Sequence, residues 1–369
     1  MSDNRLRAIG ALGQAVWIDN LNRALLRDGG LRRLLDEDGV TGVTSNPAIF
    51  QKAMGGSDRY DDDYREALAE TSDPREIFFH LGFSDIRAAC DQLRGVYDAT
   101  NAQDGYVSFE LPPELADDAD GSIAAAVDIH ARIDRPNVLI KVPGTAAGVV
   151  AFEELTARGI SVNVTLLFAV SRYEEIARAY ISGLQRRVDA GQAIDKIASV
   201  ASFFVSRVDT KVDAALDAAG RADLKGKAAV ANAQLAYQSF LEIFSGPDWE
   251  ALAARGAMVQ RPLWASTGVK NPDYPDTLYV DTLIGPDTVN TMPDATLAAA
   301  RDHATPARTV DADFAGAAQV IADVRAAGVD LEHIVLTELV DEGVQLFVDA
   351  FEALIASIGE RARELAPAG

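Results

Sequence analysis

The stretch Asn-Val-Leu-Ile-Lys-Val-Pro at residues 137–143 decides the fold, because it is apolar on both alternations and yet contains one ammonium group, that of Lys141. A strand that is apolar on both sides is covered on both faces, as in the parallel sheets of α/β proteins. The proline that follows cannot continue a central strand. We therefore predict a buried parallel strand here, with Lys141 near its carboxyl end.

Seven further runs share this pattern, and amphipathic stretches of helical period separate them. The eight runs lie at residues 15–20, 42–47, 106–110, 137–143, 161–165, 197–202, 262–266 and 277–281. Strands that alternate with helices indicate an α/β protein with a parallel sheet. Eight of them favour a (β/α)8 TIM barrel over an open sheet.

The spacing of the runs predicts where the barrel carries additional helices. The intervals from Asn46 to Glu110 and from Ser202 to Ser266 are each 64 residues, about twice the length of the other repeating units. No repeat, low-complexity tract or Pro/Gly linker divides the chain. We therefore predict a single domain over residues 1–369, with helical insertions in these two intervals and a long C-terminal helix at about residues 337–365 outside the barrel.

Composition and charge exclude several classes of protein. The sequence is 48% hydrophobic and 24% charged, which is typical of globular chains, and its net charge of −22 argues against nucleic acid or an anionic membrane as a partner. No run approaches the roughly 20 apolar residues of a membrane helix, and no leader is seen, so we expect a soluble cytoplasmic protein. The single cysteine, Cys90, and four scattered histidines suggest no metal site, and no cofactor is expected.

Lys141 is the strongest single indication of chemistry. Burial of an unpaired ammonium is costly and favours the neutral amine, which is the form that attacks a carbonyl to make a Schiff base. The alternative is a lysine at a strand end that reaches solvent or pairs with a carboxylate. The segment alone does not decide between the two.

Polar residues at the other strand ends favour the catalytic interpretation. The carboxyl ends of barrel strands meet at one rim, where active-site residues converge. Two carboxylates at such ends could transfer protons near a Schiff-base lysine, and uncharged side chains could hold a polyhydroxy substrate. These residues are Asp19, Glu110, Asn46, Asn163, Thr165 and Ser202.

Several of these segments resemble the transaldolase family. The resemblance runs in order from about Leu12 to Arg207 and is specific in the segments at residues 17–19, 44–47, 140–143, 163–168 and 202–209. Residues 264–267 are similar to the strand that lies near the substrate phosphate in that family. The length of the chain and residues 268–272 resemble the longer bacterial branch.

The resemblance implies a cofactor-free transfer in a circularly permuted (β/α)8 barrel of the class I aldolase type. Lys141 would attack the C2 carbonyl of a ketose phosphate. Asp19 would take the C4 hydroxyl proton, which releases an aldose and leaves a dihydroxyacetone enamine. Glu110, with Thr165 and a water molecule, would serve dehydration and hydrolysis of the imine.

The resemblance also implies the substrates and the residues that bind them. Asn46, Asn163 and Ser202 would bind the dihydroxyacetone hydroxyls. The donor would be sedoheptulose 7-phosphate or fructose 6-phosphate, and the acceptor glyceraldehyde 3-phosphate or erythrose 4-phosphate, in the non-oxidative pentose phosphate pathway. Family members include homodimers, although no surface pattern here predicts an interface.

Arg207 is the best phosphate candidate, since a guanidinium can bind phosphate oxygens with two parallel hydrogen bonds. The alternative is an ion pair on a helix surface with Asp209 or Asp213.

Ser266 and Lys270 are further candidates for the phosphate. The family commonly has an arginine two residues after the serine, where this chain has Gly268, so Lys270 is assigned by proximity.

Two other functions remain open from the sequence. A class I aldolase that releases dihydroxyacetone, as a fructose-6-phosphate aldolase does, would share the imine chemistry. A catalytically silent sugar-phosphate binding protein could use the same barrel.

Overall fold

Eight parallel strands close into a barrel in the order in which they occur along the chain. The computed structural model describes residues 4–55 and 57–366. The strands are β1 (Gln14–Ile18), β2 (Val40–Thr44), β3 (Val107–Glu110), β4 (Val138–Pro143), β5 (Val162–Leu167), β6 (Ser199–Phe204), β7 (Arg261–Ala265) and β8 (Thr288–Met292). The predicted (β/α)8 barrel is therefore confirmed.

Helices surround the barrel. In chain order they are α1 (Arg5–Ala11), α2 (Arg23–Arg27), α3 (Gly30–Arg33), α4 (Pro47–Met54), α5 (Asp61–Glu70), α6 (Pro74–Ala99), α7 (Ala119–Ile133), α8 (Ala146–Arg158), α9 (Val170–Asp189), α10 (Ser206–Ala218), α11 (Ala228–Ile243), α12 (Pro247–Ala253), α13 (Leu278–Asp281), α14 (Asp294–His303), α15 (Phe314–Ala326), α16 (Leu331–His333) and α17 (Leu339–Leu365). The helices α4 to α6 lie between β2 and β3, and α10 to α12 lie between β6 and β7. These are the two long intervals in which additional helices were predicted.

The register of the central strands places three predicted site residues side by side. Every residue of β4 and β5 is buried, as expected for strands that contact the barrel interior on one face and helices on the other. Glu110 is paired with Lys141 across β3 and β4, and Lys141 is paired with Asn163 across β4 and β5. Pairing at the same level brings their side chains to one layer of the barrel.

The prediction of an eighth strand at residues 277–281 was wrong. Residues 277–281 form the short helix α13, in which the Thr277 hydroxyl donates a 2.8 Å hydrogen bond to the Asp281 carboxylate. The actual strand, β8, contains Thr288, Asn290 and Thr291 and has no apolar run, although all its residues are buried. These polar side chains make hydrogen bonds inside the barrel, so hydropathy alone could not find the strand.

The C-terminal helix α17 lies close to the carboxyl end of the barrel as well as against the outer helices α4 and α6. The Phe347 ring centroid is 5.8 Å from Lys141 Nζ. A Cβ on Gly343 would lie 2.8 Å from Leu166 Cδ2, so glycine allows the helix to approach β5 closely. This helix was expected outside the barrel, and the structure shows that it also covers the predicted site.

Among the helices that the structure describes, none is both long and apolar enough to cross a membrane. No group of three or more histidine, cysteine, aspartate or glutamate residues in the same part of the chain is arranged to hold a metal ion.

Candidate active site

Lys141 lies in β4 with its ammonium group inside the barrel. Its Nζ donates a 3.0 Å hydrogen bond to the Ser45 carbonyl oxygen and lies 3.3 Å from Glu110 Oε2. The side chains of Lys141 and Glu110 are each only 6% exposed. The first alternative to a catalytic lysine, a side chain that reaches solvent, is therefore absent. The second alternative, a pair with a carboxylate, is present. Because burial of two charges costs several kcal/mol per ion, about as much as their attraction returns, such a pair is a poor device for stability alone.

Glu110 ends β3, and its carboxyl group has an unusual affinity for protons. Burial raises its pKa to about 7, and the nearby Asp19 carboxyl also raises it, while the charge and hydrogen bond of Lys141 lower it. A carboxyl group that titrates near neutral pH can act as either a general acid or a general base. Of the two hydrogen-bond partners of Lys141 among the described residues, only Glu110 can accept a proton from it.

Asp19 follows β1 at the same end of the barrel and is half-buried. The Thr44 hydroxyl donates a 2.6 Å hydrogen bond to its Oδ1. Burial raises the pKa of the Asp19 carboxyl, whereas the Thr44 hydrogen bond and the Lys141 charge lower it. The barrel mouth thus contains one carboxyl group paired with the lysine and a second one held by a neutral hydroxyl.

Asn163 and Ser202 belong to a buried chain of hydrogen bonds across three strands. Ser202 Oγ donates to Asn163 Oδ1 at 2.7 Å, and Asn163 Nδ2 donates to Ser108 Oγ at 3.0 Å. The exposed fractions of Asn163 and Ser202 are 0% and 2%. The structure brings these predicted residues together beside Lys141, and it adds Ser108, which the sequence interpretation missed. Ser108 lies two residues before Glu110, so the two-residue period of a strand could have identified it.

Thr165 and Asn46 each keep part of their polar side chain unpaired. Thr165 Oγ1 is fully buried and makes no hydrogen bond with the described residues. Asn46 caps α4, since its Oδ1 accepts a 3.0 Å hydrogen bond from the Ile49 amide. Its carboxamide nitrogen donates no hydrogen bond within the described chain. Both residues can therefore bind a polar ligand group without first breaking an internal bond.

Arg207, the second residue of α10, is half-buried and lies 5.4 Å from the Phe204 ring centroid. Burial lowers the pKa of its guanidinium group, and the negative charge of Glu342 opposes that effect. No carboxylate within residues 4–55 and 57–366 lies within ion-pair distance of the Arg207 guanidinium. Asp209 instead accepts from the Ala229 amide and the Tyr279 hydroxyl. The structure therefore lacks the predicted alternative of a surface ion pair with Asp209.

Asp213, the other carboxylate considered for Arg207, accepts hydrogen bonds from the Tyr274 hydroxyl and the Gly226 amide. It too is engaged elsewhere.

Ser266 and Lys270 differ in their relation to this site. Ser266 follows β7 in a left-handed conformation, with φ +55°, and its Oγ is 3.0 Å from Ser206 Oγ, next to Arg207. Lys270 is exposed, and within the described residues it makes no hydrogen bond or ion pair. The structure therefore places Ser266 beside Arg207 and shows no contact that brings Lys270 to the site.

Two further residues near the site had no role in the sequence interpretation. Thr291 in β8 is buried, and its Oγ1 is 2.7 Å from Thr44 Oγ1. Phe347 comes from α17, far along the chain from the barrel residues that it approaches. No local pattern could have identified either residue, because β8 was misplaced and α17 was expected outside the barrel.

Comparison with known proteins agrees with this geometry. The chain is 49% identical to a protein named transaldolase from Thiobacillus denitrificans over 359 residues, which cover 96% of this chain and 100% of the relative. It is 45% identical to transaldolase 2 from a Nostoc species over 380 residues, with both chains fully covered. It is 46% identical to a transaldolase from Frankia alni over 362 residues, or 97% of each chain.

Residues 16–358 match the family described as Transaldolase/Fructose-6-phosphate aldolase. This match includes all eight strands except the first two residues of β1, together with every polar residue of the barrel mouth described above. The chain belongs to the transaldolase/fructose-6-phosphate aldolase family.

Proposed function

We propose that this chain is a transaldolase, a transferase that moves a dihydroxyacetone unit from sedoheptulose 7-phosphate to glyceraldehyde 3-phosphate through a Schiff base on Lys141. The products are erythrose 4-phosphate and fructose 6-phosphate. The observation that carries this proposal is the buried Lys141 ammonium, 3.3 Å from a carboxyl group that titrates near neutral pH, at the carboxyl end of a barrel from this family.

Imine formation uses the Lys141–Glu110 pair. The ammonium proton passes to Glu110, and the neutral amine attacks the ketose C2 carbonyl to give a carbinolamine. The carbinolamine nitrogen carries no positive charge. The charge that lowered the pKa of Glu110 is therefore absent, and the Glu110 carboxyl group holds its proton more firmly. Glu110 then donates the proton to the departing hydroxyl group, which leaves as water. The iminium charge that forms favours the Glu110 carboxylate again.

Cleavage of the carbon–carbon bond uses Asp19. Its carboxylate takes the proton of the C4 hydroxyl, the C3–C4 bond breaks, and its electron pair moves into the iminium to give an enamine. The aldose phosphate leaves as an aldehyde. The same steps in reverse join the enamine to the acceptor aldehyde, and Asp19 returns the proton.

The remaining polar residues hold the substrate. Asn46, Asn163 and Ser202 bind the dihydroxyacetone hydroxyls, and Thr165 holds the water that hydrolyses the imine. Arg207 binds the phosphate, supported by Ser266. Among the described residues Thr165 Oγ1 has no hydrogen-bond partner and Arg207 has no carboxylate at ion-pair distance, and both observations support these assignments. Lys270 receives no role in this proposal.

The experiment that tests this function is reductive trapping with peptide mapping. Borohydride added to the enzyme with fructose 6-phosphate should leave a covalent adduct on Lys141. Lys141→Ala should give none, and the matched variant Lys270→Ala, which removes an exposed lysine, should give the wild-type amount. Absence of an adduct in the wild type would contradict any Schiff-base function and would favour a silent sugar-phosphate binding protein.

A lyase that releases dihydroxyacetone is the second candidate, because the matched family also includes fructose-6-phosphate aldolases. The two functions differ in how they depend on the acceptor. A transferase should release little dihydroxyacetone from fructose 6-phosphate until an acceptor aldehyde is added. Rapid release without an acceptor would assign the chain to the lyases.

A further inference from the structure

We propose that Thr44 and Thr291 form a directional pair of hydroxyl groups that orients Asp19, so that Asp19 Oδ2 is the oxygen that exchanges the substrate proton. This inference rests on the proposed function, and it assigns positioning roles to two residues outside the predicted site. Thr44 Oγ1 is 2.6 Å from Asp19 Oδ1 and 2.7 Å from Thr291 Oγ1.

The direction of these hydrogen bonds follows from counting protons. An ionised carboxylate only accepts hydrogen bonds, so Thr44 donates its one hydroxyl proton to Asp19. Thr44 has no second proton for Thr291, and the Thr291 hydroxyl must therefore donate to Thr44. The order is Thr291 to Thr44 to Asp19. Each hydroxyl polarises the next, which strengthens the hydrogen bond that reaches the carboxylate.

The strands on both sides of β1 deliver the two hydroxyls. β2 and β8 each pair with β1, and the Asp19 amide donates a 2.9 Å hydrogen bond to the Met292 carbonyl oxygen. Thr44 and Thr291 are 2% and 3% exposed. With the backbone and Oδ1 both fixed, the carboxylate has little rotational freedom. Oδ2 accepts no hydrogen bond from the described residues and is the oxygen left for the C4 hydroxyl.

The pair also matters for the charge of Asp19, because few other groups stabilise it. Lys141 of β4 lowers the pKa of the Asp19 carboxyl, whereas burial and the Asp294 carboxylate of α14 raise it. Glu110 of β3 faces the same space, and the Asp19 carboxyl raises the pKa of Glu110. While Lys141 is a neutral amine or carbinolamine, the Thr44 hydroxyl is the main remaining group that favours the Asp19 carboxylate. This donor therefore keeps Asp19 ionised until the iminium forms and cleavage begins.

The test is the pH dependence of cleavage, measured as single-turnover release of erythrose 4-phosphate from sedoheptulose 7-phosphate. Cleavage needs ionised Asp19, so its rate falls on the acid side. Thr44→Val removes the donor at nearly constant volume and should move this acid limb to higher pH by about one unit. Thr291→Val should move it by less in the same direction, and Thr44→Ser should restore the wild-type limb.

Thr267→Val is the matched control, because Thr267 is a buried threonine of the same barrel whose hydroxyl donates to Asn290 Oδ1 and to the Thr291 carbonyl oxygen, and not to Asp19 or to either hydroxyl of the pair. This variant should leave the acid limb in place. The pH dependence of borohydride trapping, which depends on Glu110, should stay unchanged in all the variants.

Two results would overturn the proposal while leaving the enzyme function intact. One is an acid limb that does not move in Thr44→Val and Thr291→Val although trapping remains normal. The other is an equal shift in Thr267→Val. A wild-type enzyme that shows no trapping would instead overturn the proposed function and this inference with it.

Discussion

Each end of the barrel contains a pair of a cation and a carboxylate, and the two pairs differ in their surroundings. At the carboxyl end, Lys141 Nζ is 3.3 Å from Glu110 Oε2. At the amino end, Arg261 Nη2 is 3.4 Å from Asp104 Oδ1, beside a cavity of about 680 Å³. The separations are almost the same, and distance alone does not tell which pair is reactive.

The difference lies in how fully each carboxylate is hydrogen-bonded. Besides Arg261, Asp104 accepts from Trp17 Nε1 at 2.9 Å, from the Thr41 hydroxyl at 2.7 Å and from the Gly105 amide at 3.0 Å. Glu110 accepts only from Lys141 within the described residues. The oxygens of Asp104 are thus occupied by four donors, whereas the Glu110 carboxyl has lone pairs left over to bind a proton. Hydrogen-bond saturation, and not the distance between the two charges, therefore distinguishes this pair from the pair for which we propose a catalytic role.

The largest expected effect comes from Asp19→Asn, which keeps the shape of the side chain and removes the base at the carboxyl end. Transfer should fall by about 10³-fold, as for the loss of a general base. Trapping on Lys141 should remain, because imine formation does not use Asp19. Rapid-quench assay of aldose release, together with borohydride trapping of the same protein, measures the two steps separately.

Asp294→Asn is the matched control for this variant, since Asp294 is exposed and makes no hydrogen bond with Asp19 among the described residues. Its carboxylate accepts a 2.8 Å hydrogen bond from Asn20 Nδ2, and its charge raises the pKa of Asp19. Its transfer rate should stay near that of the wild type. Loss of trapping in a folded Asp19→Asn variant would show that the roles of the two carboxyl groups at the barrel mouth are not separate.

A smaller effect is expected from Glu110→Gln, which should slow imine formation by about 10²-fold. The pKa of Glu110 is raised to about 7. Because Glu110 must be ionised to take the ammonium proton of Lys141, the trapping rate of the wild type should rise as the pH rises through this value. The variant has no such group and should lose this rise. A wild-type profile that persists in Glu110→Gln would assign the proton transfer to another residue.

The sequence allowed seven strands and most of the barrel mouth to be predicted, because those features are local. Lys141 within an apolar run is anomalous by itself, and the carboxyl ends of parallel strands must meet. The contrast between Glu110 and Asp104 was not predictable. Besides the adjacent Gly105 amide, Asp104 obtains its donors from β1, β2 and β7, and no spacing along the chain shows that these three strands converge on it.

Thr291 and Phe347 could not be predicted from the sequence for a related reason. Thr291 belongs to β8, whose buried residues are mostly polar, so the search for apolar runs selected residues 277–281 instead. Phe347 reaches Lys141 only because α17 folds back over the mouth. Both are consequences of tertiary packing that a single strand or helix does not encode.

The smallest effect on activity is expected from Asp104→Asn at the amino end. The new amide group has only one oxygen, so it cannot accept hydrogen bonds at the positions of both Oδ1 and Oδ2. Either the Thr41 hydroxyl or the Trp17 and Gly105 donors therefore lose their acceptor. The Arg261 charge also loses its counterion. We expect a loss of stability of about 2 kcal/mol, since buried donors are left unpaired. The Tm should fall by several degrees while kcat and the trapping rate of the folded protein stay near wild type.

Asp195→Asn is the matched control, because Asp195 is an exposed carboxylate that lines the same cavity, and it should change neither the Tm nor kcat. A reduced kcat in Asp104→Asn with an unchanged Tm would show that the saturated carboxylate exchanges protons after all, and hydrogen-bond saturation would no longer distinguish the two ends of the barrel.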